Sequence, residues 1–196
     1  SEFGYLSDYG PFGNDGQKTD VAHPDVPSPF RDDFGAVDGS FGPLRDLDGT
    51  RFTWRTGNWA GRRELKYRSE TNRDPTGDEL NADWAVKKLG ELADAGKPFL
   101  MGLGFIRPHT PLIVPQKYFD LFPLNSIKLP ETLPGDVEDT FKHTLAPGSD
   151  DRSDDRGHKM YSSLIKSFKG DRDLALRKFI QAYLASVASV DDLVGQ

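Results

Sequence analysis

The sequence contains no cysteine, which excludes a disulfide framework and any thiolate-ligated metal centre within these 196 residues. It also lacks a long apolar run: FLMGLGF falls far short of the roughly 20 residues that cross a bilayer. The N-terminus, SEFGYLSDYG, has no charged segment followed by an apolar one and so no signal-peptide pattern. No basic face is present. The formal net charge of -6 is spread along the chain, which argues against nucleic acid or an anionic membrane as the main partner. P-loop, GxGxxG, HExxH and GxSxG signatures are missing too. What is present is 36% hydrophobic residues with 13 phenylalanines, enough to bury a core and too many for a disordered chain.

Residues 1–50 are crowded with Gly, Pro, Asp and Phe, and Phe12, Phe30, Phe34 and Phe41 read as aromatic anchors of an ordered loop. In TRFTWRTGNWAGRRELKYR the pattern predicts a short strand, a glycine-centred turn and a second strand. Thr76 and Glu79 form a capping box; Leu80, Trp84, Leu89 and Leu92 recur at helical spacing, and Gly96 closes the helix. The apolar run FLMGLGF then predicts a buried strand with both faces covered. Pro108 ends it, so Arg107 and His109 sit on the loop beyond its carboxyl end, where α/β sheets bind ligands. PQKYFDLFP reads as a short helix stopped by Pro123, MYSSLIKSF as another, and NSIKLPETLPGDVEDT as extended. Leu176, Phe179, Ile180, Tyr183, Val187, Val190 and Val194 trace the buried face of a helix from about Asp171 to the end. One buried strand does not complete an α/β domain, and with its start on Ser1 and its close inside VDDLVGQ the chain reads as an internal piece of a longer one.

His109 is the leading candidate for chemistry, a titratable group on a loop stiffened by Pro108 and Pro111. Arg107 offers a fixed cation for a sulfate or carboxylate. The competing reading has His109 bonding a backbone carbonyl and Arg107 pairing with an acidic neighbour. His23, His143 and His158 read as surface residues, and Asp150, Asp151, Asp154 and Asp155 as a solvated loop, since DDRSDD lacks the glycine and glutamate of an EF-hand. Trp54, Trp59 and Arg55 admit a sugar-binding cleft, although tryptophans at strand spacing more often pack.

The stretch KPFLMGLGFIRPHTPLIVPQKYFDLFP, followed by NSIKLPE, resembles the central part of type I sulfatases, in particular the iduronate-2-sulfatase and choline-sulfatase-like branch. FIQAYLASVASVDDLVGQ resembles the helix that precedes a metal-binding pair in that family. The matches cover Lys97–Glu131 and Lys178–Gln196. The resemblance implies an α/β chain forming part of an alkaline-phosphatase-like sulfatase fold, a mixed sheet flanked by helices, incomplete in this chain. Residues 1–75 become a loop-rich substrate-side segment and 76–196 the central part of the catalytic domain.

It further implies hydrolysis of a small-molecule or oligosaccharide sulfate ester by a formylglycine nucleophile with bound calcium, in a periplasmic or extracellular protein. His109 matches the histidine that contacts the ester, and Arg107 stands where a substrate-facing lysine is frequent. No metal ligand maps onto the chain, and the C/S-x-P-x-R segment that is converted to formylglycine is absent. Nucleophile and calcium ligands are therefore expected in the remaining part of the sulfatase polypeptide, and the 196-residue chain alone is expected to be inactive. A phosphonate or phosphate monoesterase of the same fold, or a non-catalytic binding domain, stands as the alternative.

Overall fold

A computed structural model describes residues 23, 25–34, 39–45, 55–56, 63–64, 67–135 and 156–196. The described elements run in the order α1 (Phe30–Phe34), β1 (Phe41–Leu44), β2 (Arg55–Thr56), β3 (Arg63–Glu64), β4 (Tyr67–Ser69), β5 (Asn72–Arg73), α2 (Gly77–Asp94), β6 (Leu112–Pro115), α3 (Gln116–Asp120), a 3-10 turn (Leu124–Ser126), α4 (Arg156–Ser167) and α5 (Arg172–Val194). Alternation of helices with a parallel strand pair bears out a mixed α/β chain.

The core grows from the parallel pair β1–β6, in register Phe41 to Leu112 and Leu44 to Pro115, entered by a bond from the Leu112 N–H to the Ser40 carbonyl at 2.9 Å. LIVP is buried at every position, as a strand covered on both faces must be. Pro43 and Pro115 are tolerated because each strand has a partner on one side only among the described residues. α5 packs across both strands, and α3 against β6 and α5. Phe41 stands edge-on to Phe179 at 5.5 Å between ring centres and tilts against Phe30 at 6.2 Å, so the anchor role expected of Phe30, Phe34 and Phe41 is met. Phe12 lies outside the described residues.

The capping box forms as expected: Thr76 Oγ1 accepts from the Glu79 N–H at 3.3 Å and the Glu79 carboxylate from the Thr76 N–H at 2.6 Å. Gly96, at φ +62, follows the helix end in the left-handed region that suits glycine. β2 and β3 pair antiparallel, as the strand-turn-strand reading required. The helices α3, α4 and α5 also fall where the sequence placed them.

Three expectations need correction. Phe99–Phe105 forms no strand, and Leu100 is 99% exposed, because no described strand offers its backbone a partner on either side. The buried strand is Leu112–Pro115 instead, where β1 provides that partner. On α2 the buried positions are Gly77, Asp78, Ala82 and Ala85, with Leu89 exposed, and on α5 they are Ala175, Ala182, Ala185, Ser186, Ser189 and Leu193, with Tyr183, Val187 and Val194 exposed. The helices pack closely through small residues, and a stripe read from large apolar side chains misses such a face. The Ser186 hydroxyl satisfies itself on the Ala182 carbonyl at 2.8 Å.

Candidate functional site

The loop from Ile106 to Pro111 is held by the first turn of α2. Asp78, itself buried, accepts from the Ile106 N–H at 2.7 Å through Oδ1 and from the Arg107 N–H at 3.2 Å through Oδ2. One turn on, Asn81 Nδ2 donates to the Gly104 carbonyl at 3.4 Å. The sequence did not single out Asp78: carboxylates are common in first turns because they complement the helix dipole. Its role as loop anchor appears only once residues 28 and 29 positions away fold back onto it.

Arg107 is enclosed at 5% exposure, its Nε donating to the Ile113 carbonyl at 3.5 Å. Burial pushes the guanidinium pKa down, and the charge of Asp78 opposes that shift. The acidic neighbour foreseen in the competing reading is therefore present. In this chain the guanidinium lies inside the protein rather than at its surface.

His109 is exposed. Its N–H donates to the Ile106 carbonyl at 2.8 Å, closing a turn, and Nδ1 lies 2.6 Å from the Thr110 carbonyl. A carbonyl can only accept, so Nδ1 carries the hydrogen. In the neutral ring Nε2 is then an acceptor, and in the imidazolium it is a donor. The backbone-carbonyl contact of the competing reading is thus present, on a ring that is also exposed.

His23, read as a surface residue, is fully buried. Its Nε2 donates to the Pro43 carbonyl at 2.8 Å, its Nδ1 accepts from the Asp25 N–H at 3.1 Å, and its own N–H donates to Ser40 Oγ at 2.7 Å. Burial drives its pKa below the ordinary value despite the opposing bond to Pro43. The ring lies over Gly42 so closely that a β-carbon there would meet its Cε1 and Nδ1 at 2.5 Å. The Pro/Asp-rich neighbourhood disguised a residue that stitches its segment to β1.

His143, Trp54, Trp59, Asp150, Asp151, Asp154 and Asp155 lie outside the described residues; His158 falls on α4 and Arg55 on β2, with side chains likewise outside them. Among the described residues no three His, Asp or Glu side chains converge as a metal site. A polar cleft of about 330 Å³ between β4–β5, α2, α3 and α5 carries more carboxylates than cations, with both cations engaged: Arg73 grips Glu79 with two bonds of 2.6 and 2.7 Å, and Lys117 and Tyr118 donate to Asp192 at 2.9 and 2.5 Å. Burial raises the Glu79 pKa, but the bonds from Arg73 and the Thr76 N–H outweigh it and hold the carboxyl below its usual range. This cleft is a joint between elements, and His109 does not line it.

A sulfatase of Formosa agariphila is 32% identical over 183 residues, spanning 89% of this chain and 33% of that protein. An arylsulfatase of Clostridium perfringens is 29% identical over 130 residues, 65% of this chain and 22% of the relative. The iduronate 2-sulfatase of Mus musculus is 25% identical over 127 residues, 60% of this chain and 21% of the relative. No protein-family profile matches the chain, and no solved structure does. The chain thus spans a third or less of the curated relatives it matches. Likeness to sulfatases along most of its length places this chain in the sulfatase family.

Proposed function

We propose that the chain is the His109-bearing part of a sulfuric ester hydrolase whose substrate is a sulfated carbohydrate. The observation that carries the reading is 32% identity to a sulfatase across 89% of the chain. Geometry adds an exposed imidazole on a loop braced by a buried carboxylate. In the cationic form Nε2 donates to the ester's leaving oxygen, the protonation that turns a poor leaving group into an alcohol. Such a group contributes about 10²–10⁴ in rate. Asp78 keeps the loop in place, and its charge opposes the cost of burying Arg107, the cation this reading assigns to the substrate side.

Formylglycine would supply the nucleophile and calcium the charge stabilisation, but the residues here do not fit either group. The sequence has no C/S-x-P-x-R, and among the described residues there is no metal cluster. On this reading both are supplied by polypeptide beyond this chain. Residues 1–75 then wall the substrate side, 76–196 form the centre of the catalytic domain, and residence in the periplasm or outside the cell accompanies the reading. No helix among the described residues is long and apolar enough to cross a membrane.

The test is a full-length chimaera in which this chain replaces the matching third of the Formosa agariphila sulfatase. It is assayed on 4-nitrophenyl sulfate, sulfated mono- and disaccharides, and 4-nitrophenyl phosphate. Sulfate ester turnover is expected, with His109→Ala lowering kcat on the order of 100-fold or more at an unchanged melting midpoint. Unchanged turnover in that variant removes His109 from the chemistry. Preference for the phosphate favours the monoesterase, and a folded chimaera that binds sulfated sugar without turnover favours a binding domain.

A further inference from the structure

A cleft of about 870 Å³ lies between α1 and α4, and His109 does not line it. Its floor is apolar, since Phe34 and Ile165 are half-buried there and pack against the core. Lys159, Lys166 and Lys169 line it as well, all three exposed, and among the described residues none of them has an ion-pair partner. The carboxylate on the lining, Asp33, accepts from the Ser163 hydroxyl at 2.7 Å.

Residues 156–170 hold Arg156, Lys159, Lys166 and Lys169 and no acidic residue, in a chain of net charge -6. Asp150, Asp151, Asp154 and Asp155 stand just before them in the sequence, and averaging across that boundary hides the cations. The expectation that no basic face exists is corrected at this cleft. Lys166 and Lys169 lie at the carboxyl end of α4, where a cation complements the helix dipole. Lys159 lies in the first turn, where a cation opposes it. Lys169 also takes φ +57, a left-handed backbone that suits glycine, and still carries a long cationic side chain. Helix stability alone does not account for this set.

Along the α4 axis Lys159 and Lys166 stand roughly 10 Å apart, at about 1.5 Å per residue. That spacing suits anionic groups repeated along a chain better than one small anion. Lysine is a compact charge on a flexible stem, able to follow sulfate groups whose spacing varies along a saccharide. The apolar floor gives the carbon face of a sugar ring a surface to lie on. We propose that the α1–α4 cleft binds a sulfated oligosaccharide, with the three lysines on its sulfate groups and Phe34 and Ile165 beneath its rings, as a site apart from His109. The choice of a sulfated saccharide rests on the sulfated-carbohydrate reading above. Longer sulfated chains are then better ligands than a single sulfated sugar.

Isothermal titration calorimetry on the 196-residue chain tests this with a sulfated hexasaccharide, the same hexasaccharide desulfated, inorganic sulfate and a single-stranded DNA of matched charge. The sulfated hexasaccharide should bind on the order of 100-fold more tightly than inorganic sulfate, and the desulfated one should give no heat of binding. Lys159→Gln, Lys166→Gln and Lys169→Asn together should weaken binding on the order of 10-fold and flatten its fall with salt, at an unchanged melting midpoint. Lys87→Gln with Lys97→Gln removes charge elsewhere and should change nothing. Should the triple variant shift the midpoint, Lys159→Gln alone decides, with a loss of about 3-fold expected and no loss refuting the site. The proposal is overturned by no binding to the unaltered chain, by equal affinity in the triple variant, by an equal loss in the Lys87 and Lys97 variant, or by inorganic sulfate binding as tightly. DNA bound as tightly as the hexasaccharide would also overturn it, assigning the cleft to polyanions at large. Turnover is not read, so failure of the hydrolysis reading in the chimaera and failure of this site are separate results.

Discussion

Asp78→Ala removes two acceptors and one charge together. Bonds to an ionised acceptor contribute about 1.5–3 kcal/mol each. The 2.7 Å contact to the Ile106 N–H lies in the strong range, and the 3.2 Å contact to the Arg107 N–H at its long limit. The charge of Asp78 also acts on the buried Arg107 guanidinium at a distance, without an ion pair between them. One carboxylate makes all these contacts, so the contributions overlap and do not add. Loss of a negative charge at the helix start adds only about 0.3–1 kcal/mol. The expected loss is therefore about 2–4 kcal/mol, a large share of the 5–15 kcal/mol typical of a domain. Asp78→Asn, which keeps an acceptor and the shape but not the charge, should lose about 1–3 kcal/mol. Urea unfolding followed by the fluorescence of Trp84, on the same helix, reads the difference. Adding Arg107→Met completes a double-mutant cycle, with a coupling above about 1 kcal/mol expected. A loss under about 1 kcal/mol for Asp78→Ala, or strict additivity in the cycle, would refute the pairing on which the loop's placement depends.

Burial holds the folded His23 imidazole below its ordinary pKa of 6.5, so the unfolded chain takes up a proton first as pH falls. Stability from this residue is full above that value and declines below it, and in urea titrations between pH 7.5 and 5.5 the decline should vanish in His23→Gln; an identical slope in that variant would assign it elsewhere. Gly42→Ala places a β-carbon 2.5 Å from the His23 ring at φ +148 and should destabilise by about 3 kcal/mol or more, whereas Gly90→Ala, in open space within α2, should stabilise by about 0.5–1 kcal/mol. Equal midpoints for the two variants would contradict the close approach of ring and backbone. Thr76→Ala deletes the cap hydroxyl and should cost about 1 kcal/mol in the same assay, with no loss expected if the Glu79 contacts alone hold the helix start. The 196-residue chain should turn over no 4-nitrophenyl sulfate; measurable hydrolysis by it would show that the nucleophile is present after all.

Local rules were legible wherever a signal was complete within one turn of chain. Thr76 and Glu79 bond each other, Gly96 takes its left-handed conformation, and Gln116–Asp120 coils between two prolines. The loop carrying Arg107 and His109 was legible for the same reason, since Pro108 acts on its immediate neighbours. What the sequence hid depends on distant partners. Phe99–Phe105 has the composition of a buried strand, but composition does not supply a neighbour. LIVP, three apolar residues between Pro111 and Pro115 and then the second proline itself, looks like loop until Phe41–Leu44 lies beside it. Asp78 and His23 are read correctly only through contacts 28 and 20 positions away. Alanine and serine stripes on α2 and α5 defeat a search for large apolar residues because close packing rewards small ones.

The β1–β6 pairing also sets an order of events during synthesis. Phe41 waits for Leu112, roughly 70 residues later, before its strand has a partner, and a closure of that length is slow beside helix formation. α2 is complete well before that moment, so Asp78 stands ready when the Ile106–Arg107 backbone emerges from the ribosome. A nascent chain halted before Leu112 would leave β1 unpaired and Phe41 without the strand it lies beside.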